Sequence, residues 1–275
     1  MFSSAIGRNK NKVPVPKVPG PLEKQGKGRE PGTFGTGTLF IVPTPIGNLK
    51  DVTLRALEVL KSADWIAAED TRETQKLLAH HNLRKENGNF SPLISLHEHT
   101  GGGRIRKILA ELREGKTVAL VSESGTPLVS DPGFELVHAA FEEGIRIEVL
   151  PGPSALVTAL VASGLAVDAF SFLGFLPAKS AARRKKLASL EPRFDTLIFY
   201  ESPFRLIASL ADMKEILGDR EACICRELTK KFEEVSRGRV GELIEKFSKG
   251  KIRGEIVVLV AGKDRKETLP KRETA

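Results

Sequence analysis

Between residues 39 and 150 short apolar runs alternate with amphipathic stretches, and this alternation constrains the fold more than any other feature of the chain. The runs 39–43, 65–68, 92–96, 117–122 and 146–150 read as strands. Val52, Ala56, Val59, Leu60 and Ala63 recur at helical spacing, so 52–63 reads as a helix. The stretches 71–81, 104–114 and 132–143 read the same way, the first capped by Asp70 or Thr71. Strands that are apolar on both faces and alternate with helices predict a parallel α/β sheet. Pro151-Gly152-Pro153 stops the fifth strand, and a helix over 154–163 follows. Beyond it the strands are longer and richer in β-branched and aromatic residues: 170–175, 196–200, 222–226, 233–240 and 255–261. Helices are expected at 180–190, 203–217 and 242–248. Two strands with no helix between them, near 222–240, predict antiparallel pairing and hence a mixed second sheet. The expected architecture is therefore a parallel-sheet N-terminal α/β domain over 38–151 and a mixed-sheet C-terminal α/β domain over 152–262.

Charge divides the chain unevenly. The 275 residues carry 43 Lys and Arg against 35 Asp and Glu, a net +8. Residues 1–38 hold seven of those cations, two acids, seven Gly and five Pro, and read as a basic tail without a core of its own. The expected bounds are a disordered basic tail over 1–37 and a second charged tail over 263–275. The rest is close to neutral, so a basic patch on it must be local. The densest is Lys179 with Arg183, Arg184, Lys185 and Lys186, either a phosphate-binding RNA face or an ordinary solvated helix face. Aromatics make up only 6% of the chain, which argues against extended base stacking. No apolar run approaches the ~20 residues that cross a bilayer, so no membrane association is expected. Cys223 and Cys225 read as small buried apolar residues in a chain made in a reducing cytoplasm.

The loops that end the strands hold the chemistry. Ligands in open α/β sheets bind outside the carboxyl ends of the strands. Here those ends carry Pro43-Thr44-Pro45-Ile46-Gly47-Asn48-Leu49, Glu69-Asp70-Thr71-Arg72, His97-Glu98-His99-Thr100 before Gly101–Gly103, and Ser122-Glu123-Ser124-Gly125-Thr126-Pro127 followed by Ser130-Asp131-Pro132-Gly133. Four loops dense in small and polar residues on one edge predict a ligand cleft. No GxGxxG follows a strand and no GxxxxGK[ST] is present, so neither dinucleotide nor P-loop chemistry is expected. His97 and His99 lack a third ligand, so no metal is expected. Gly101–Gly103 fits an anion-binding nest or a flexible turn equally well.

Several of these blocks resemble the bacterial small-subunit ribosomal RNA 2′-O-ribose methyltransferases of the tetrapyrrole methylase superfamily. They are residues 39–49, Ala68-Glu69-Asp70-Thr71-Arg72, 95–98, Gly125-Thr126-Pro127 with Ser130-Asp131-Pro132-Gly133, Pro151-Gly152-Pro153-Ser154-Ala155, Phe199-Tyr200-Glu201-Ser202-Pro203 and Arg226-Glu227-Leu228-Thr229-Lys230. The resemblance runs in order over residues 38–262. It implies a two-domain tetrapyrrole methylase-like fold with S-adenosylmethionine in the cleft between the domains, a homodimer, and methylation of a cytidine in the decoding region of 16S ribosomal RNA or the small ribosomal subunit. It implies cofactor contacts from Pro45, Ser124, Gly125, Thr126, Ser154 and Ala155. A buried Lys of lowered pKa can act as a base, so Lys230 is the expected proton acceptor, with Lys231 next and Asp70, Glu98 and Glu201 as partners. Two departures stand out. Glu123-Ser124 replaces the usual Asp-Ala, and Phe204 replaces a frequent His. Rival readings are corrin or porphyrin C-methylation and a non-catalytic RNA-binding ribosome-assembly protein.

Overall fold

A computed structural model describes residues 37–97 and 102–264, which belong to one compact unit. The expected tail over 1–37 therefore lies outside the described residues except for Gly37, as does most of 263–275.

The first half alternates as its periodicity predicts. The elements are β1 (Thr38–Ile41), α1 (Leu54–Ser62), β2 (Trp65–Ala68), α2 (Thr71–His80), β3 (Leu93–Ser95), α3 (Gly102–Arg113), β4 (Val118–Val121), α4 (Phe134–Glu142), β5 (Arg146–Val149) and α5 (Ala155–Ser163). The five strands form one parallel sheet in the order β3-β2-β4-β1-β5. The alternation of side chains sorts the core. On one face Leu39, Ile41, Val118 and Leu120 meet Ile108, Leu112, Leu136 and Ala140 of α3 and α4. On the other Val42, Ala119 and Val121 meet Ala56, Leu60, Leu77 and Leu78 of α1 and α2. Helices thus cover both faces, which is why β4 is apolar at all four positions. β5 is the exception to that rule, because it lies at the sheet edge and alternates charged with apolar residues.

The second half is built from β6 (Phe170–Phe175), α6 (Ser180–Leu190), β7 (Thr196–Glu201), α7 (Leu206–Leu217), β8 (Glu221–Arg226), β9 (Glu234–Arg239), α8 (Val240–Phe247) and β10 (Ile256–Val260). Its sheet has the order β6-β7-β10-β8-β9. Only β6 and β7 run parallel, and β8 and β9 form the expected antiparallel pair. Helices α6, α7 and α8 pack one face through Leu187, Leu210 and Leu243 against Phe199 and Val258. The other face, with Ile198, Cys225 and Val257, packs against Ala159 and Leu160 of α5 and against Ile46 from the loop after β1. Two sheets therefore lie on either side of Pro151-Gly152-Pro153, and α5 joins them. The expected helix over 203–217 starts only at Leu206, because residues 202–205 form a turn closed by the Arg205 amide donating to the Ser202 carbonyl.

Candidate functional site

The strand order brings the loops together. β1 and β2 both neighbour β4, so the loops after these three strands emerge side by side. Thr44 and Gly125 form an antiparallel bridge, with Thr44 N donating to Gly125 O at 2.9 Å and Gly125 N to Thr44 O at 3.1 Å. Gly125 sits at φ +82°, and a Cβ there would meet Ile46 Cγ2 at 3.1 Å. Left-handed backbone and close approach both favour glycine. The Thr126 hydroxyl donates to the Pro153 carbonyl at 2.9 Å, tying this loop to the start of α5.

The second half closes on this edge through the loop after β8. A Cβ on Gly47 would lie 2.4 Å from Lys230 Cγ and 2.9 Å from the Leu228 carbonyl. Only a glycine lets the loops after β1 and β8 touch. The β8 loop turns sharply, with Glu227 at φ +51° and Thr229 at φ +63°. Such conformations in residues other than glycine persist only where surrounding structure holds them.

Between these loops lies a cleft of about 290 Å³. Of the expected cofactor contacts, Ser124, Gly125, Thr126, Ser154 and Ala155 all line it. Pro45 does not, although its carbonyl accepts from the Ser124 hydroxyl at 3.5 Å. Tyr200, Phe175, Leu228, Ile256 and Val257 form the wall from the second half. Cys225 lines it too, its thiol pushed up by Cys223 and by burial and so neutral. Five carboxylates reach the cleft, Glu69, Glu123, Asp131, Glu201 and Glu255, and no Lys, Arg or His among the described residues lines it. In a chain of net +8 this is a local inversion of charge. Burial, then Glu69, then Asp70 and Glu255 raise the Glu123 carboxyl above the usual range. Burial and the Glu69 charge push Asp131 up to about 6, against a Ser122 hydrogen bond that lowers it. Burial raises Tyr200, with a further contribution from Asp131. Carboxylates that repel one another without cations are satisfied by a positively charged ligand.

The expected catalytic residues fare differently. Burial pulls the Lys230 amine down, but hydrogen bonds to Glu227 and Glu255 outweigh it, and the net pKa is raised. The amine lies 3.0 Å from Glu227 and 3.1 Å from Glu255. Its two carboxylate partners favour the charged form, the opposite of the lowered pKa expected of a base, and it is not among the residues lining the cleft. Lys231 is exposed, with its amine 5.6 Å from the Phe232 ring. Glu201 does line the cleft but is buried and saturated. Its oxygens accept from the Ser202 amide at 2.7 Å, from two Arg205 nitrogens at 2.9 and 2.6 Å, and from the Ser209 hydroxyl. It anchors the end of β7 to α7. Asp70 caps α2, accepting from the Arg72 amide at 2.8 Å and from the Arg72 guanidinium, which holds it down at about 2. It does not line the cleft. Glu98, His99, Thr100 and Gly101 lie outside the described residues. Phe204 is exposed and away from the cleft.

The basic run on α6 is also corrected. Arg183 is buried, only 4% exposed, and its guanidinium pairs with Asp212 at 2.6 Å inside the fold. Arg184 pairs with Glu215 and with Asp212. Lys185 and Lys186 are exposed and remain as phosphate candidates. The i, i+3 spacing of Arg183 and Lys186 does not give one basic face, because position 183 turns toward α7.

Glu69, Glu123 and Asp131 stand in loops that the sequence marks as ligand-binding, but no local signal singles them out within those loops. Phe175 ends β6 and Glu255 directly precedes β10, and neither carries a sequence sign of a site. Phe175 reaches the cleft from the end of β6, and Glu255 joins it only through the antiparallel pairing of β10.

Two consecutive halves, glycine-permitted loop contacts and an acidic cleft at strand ends define a ligand-binding α/β protein, and comparison with known proteins gives its class. Residues 38–244 match the Tetrapyrrole (Corrin/Porphyrin) Methylases, and the chain belongs to that family. Among solved structures it is similar to uroporphyrin-III-C-methyltransferase from Thermus thermophilus, with a TM-score of 0.56 and 27% identity over 86% of this chain and 100% of that one. A diphthine synthase shares the fold, with a TM-score of 0.61 at 14% identity over 82% of this chain and 90% of the other. Within the family the chain belongs with the proteins named ribosomal RNA small subunit methyltransferase I. It is 49% identical to that of Halalkalibacterium halodurans over 84% of this chain and 78% of the relative, and 47% identical to that of Thermotoga maritima over 83% and 100%.

Proposed function

We propose that the protein is an S-adenosylmethionine-dependent methyltransferase acting on the 2′-hydroxyl of a cytidine in the decoding region of 16S ribosomal RNA, within the small ribosomal subunit. The observation that carries this reading is the 44–49% identity to ribosomal RNA small subunit methyltransferase I proteins, over a length that includes both walls of the cleft. The cleft fits the cofactor by its chemistry. A ligand with sulfonium and ammonium charges suits the wall carboxylates Glu69 and Glu123, which make no ion pair among the described residues. When bound, the cofactor supplies an already activated methyl electrophile.

The chain's own residues then bind, orient and exclude water. Gly125, its own backbone groups bridged to Thr44, leaves room for a ligand because it has no side chain, and Ser124, Thr126, Ser154 and Ala155 keep the lining small. Tyr200, Phe175 and Leu228 cover the apolar side. Lys230 holds Glu227 and Glu255 in place at the rim of the second half. Because the electrophile is activated, alignment of reacting atoms supplies much of the rate, of the order of 7–11 kcal/mol where positioning is good. The acidic cleft cannot take RNA phosphates, so these bind outside it, with Lys185 and Lys186 as two candidates. We read the two halves, 38–151 and 152–262, as domains. The working form in this reading is a homodimer in a reducing cytoplasm. Val157 and Val161, exposed one turn apart on α5, support it as an apolar strip free to be covered. Among the described residues no helix is long and apolar enough to cross a membrane.

The test is mass mapping of methylated riboses in ribosomal RNA from cells with and without the gene. One ribose methyl group should vanish from 16S RNA and return on complementation; an unchanged map overturns the reading. Methylation of uroporphyrinogen instead would favour the tetrapyrrole alternative. Melting separates the enzyme from a non-catalytic assembly protein, since S-adenosylmethionine at ~100 times its Kd should stabilise the fold by ~2.7 kcal/mol.

A further inference from the structure

A second cavity of about 220 Å³ adjoins the cleft, and Asp131 lines both. We propose that this second cavity receives the nucleoside whose ribose is methylated, and that the Asp131 carboxylate, in the shared wall, accepts the proton of the attacking 2′-hydroxyl. The inference rests on the function proposed above.

The second cavity has the character of a nucleoside pocket. Leu96, Ile105 and Leu136 supply its apolar lining, beside the titratable His97, Glu135 and Asp131. Phe134 stands at its edge, 69% exposed, its ring packed edge-on to His138 at 5.6 Å between centroids. An exposed aromatic at a cavity mouth offers a stacking face to an unstacked base. Arg104 and Arg106 flank Ile105 on α3 and are both exposed. Neither lines the cavity, but as exposed cations on the helix that contributes Ile105 they are placed to hold phosphates of an RNA strand outside it. The cationic donor goes to the acidic cleft, and the strand's phosphates stay outside both cavities, neither of which is lined by Lys or Arg among the described residues.

Asp131 is the one cleft carboxylate placed between the two. It is half-buried and makes no ion pair among the described residues. Leu128 and Ser130, just before it, both adopt φ +73°, and Gly133 just after it adopts φ +118°. The chain holds this segment in conformations that cost energy, as it does where a side chain must be aimed. Three of the other candidates are occupied: Glu201 by four donors, Asp70 by a helix end, Lys230 by two carboxylates. A carboxyl that burial and Glu69 raise to about 6 remains mostly ionised at neutral pH yet is a better base than an ordinary aspartate. In the step, the ribose oxygen forms a bond to the methyl carbon and the carbon–sulfur bond breaks. Its electron pair stays on sulfur, leaving a neutral thioether. The hydroxyl proton passes to Asp131, and the neutral acid returns it to solvent.

The test uses the full chain, S-adenosylmethionine, and small ribosomal subunits from cells lacking the gene. Asp131→Asn should bind S-adenosylmethionine in calorimetry within about threefold of wild type while its single-turnover rate falls by ~10²–10⁴. The wild-type rate should rise with pH through about 6 and flatten, and the variant should lose that limb. Phe134→Ala should raise KM for the subunit more than it lowers kcat. An Asn variant within about tenfold of wild type, with its acid limb intact, overturns the proton-acceptor role. Equal losses of rate and S-adenosylmethionine affinity overturn it too, because the carboxylate would then serve the donor. An unchanged KM in Phe134→Ala overturns the cavity assignment. Wild-type protein that binds S-adenosylmethionine but leaves ribosomal RNA unmethylated overturns the functional reading, and this inference with it; failure of the Asn prediction alone leaves that reading standing.

Discussion

Replacing Arg183 tests stability rather than RNA binding. The side chain is 5% exposed and its partner Asp212 is 11% exposed. Asp212 accepts from Arg183 Nε at 2.7 Å and from the Ser180 hydroxyl at 3.0 Å, with Arg184 at 3.4 Å. Burial raises the Asp212 carboxyl, but these donors outweigh it and the net pKa is lowered. Arg183→Met leaves that carboxylate buried with one weak cation and one hydroxyl. Breaking a buried pair from one side costs ~3–5 kcal/mol. Since Arg184 and Ser180 remain, the lower end applies, about 3 kcal/mol, or roughly 6–12 °C in Tm for a chain of this size. Denaturant unfolding followed by circular dichroism reads the loss. Arg183→Met with Asp212→Leu should recover most of it, because a matched apolar pair leaves no uncompensated charge. Subunit affinity of the folded protein should not change. A variant that keeps its wild-type midpoint but binds RNA less tightly would refute the argument and restore Arg183 to the RNA face.

Further perturbations address the loops and surface charges. Gly125→Val places a β-branched residue at φ +82°, against Ile46, and should abolish S-adenosylmethionine binding in calorimetry. Gly47→Val should separate the loops after β1 and β8, weakening cofactor binding and lowering Tm together, since its Cβ would meet the Leu228 carbonyl at 2.9 Å. Lys185→Ala with Lys186→Ala should make the slope of log affinity against log salt shallower by ~0.7 for each phosphate partner removed, with Tm unchanged. Asp131 binds its proton more tightly folded, near 6, than unfolded, near 3.8. It therefore costs the wild type stability as pH rises from about 4 to about 6, and the cost persists above. Asp131→Asn should gain ~1–1.5 kcal/mol over wild type at about pH 8, half the full shift for a half-exposed group, and this advantage should disappear by about pH 4. A difference that does not vary with pH counts against the raised pKa.

The fold was legible because each element carries its own period. Val118–Val121 reads as a strand buried on both faces, and the structure places it in the middle of the parallel sheet with helices above and below. The pair β8 and β9 was legible because no helix-forming stretch separates them. The cleft was legible as loops, since small residues cluster at the ends of β1, β2 and β4. Roles within the cleft were not. Whether a charged side chain does chemistry depends on what lies beside it, and that partner is distant in sequence. Asp212 is 29 residues from Arg183, and Glu255 is 25 residues from Lys230. From the sequence alone Arg183 to Lys186 is one basic run, and only the packing of α6 on α7 divides it into two arginines held by carboxylates and two exposed lysines.

Asp131 shows the same gap from the other side. In the sequence it stands in Ser130-Asp131-Pro132-Gly133, a pattern that reads as a turn and a helix entry. Its local pattern resembles that of Asp70, which also stands between a strand end and a helix start. What separates them is their neighbours. Asp70 has an arginine two positions on, which lowers it to about 2 and commits it to the cap. Asp131 is partly buried, faces Glu69 from a neighbouring strand end and makes no ion pair among the described residues; burial and then Glu69 raise it to about 6. Two aspartates at two helix entries, on the same edge of the same sheet, are thus driven in opposite directions, one by the residue beside it in the chain and the other by a loop that the order of strands brings alongside.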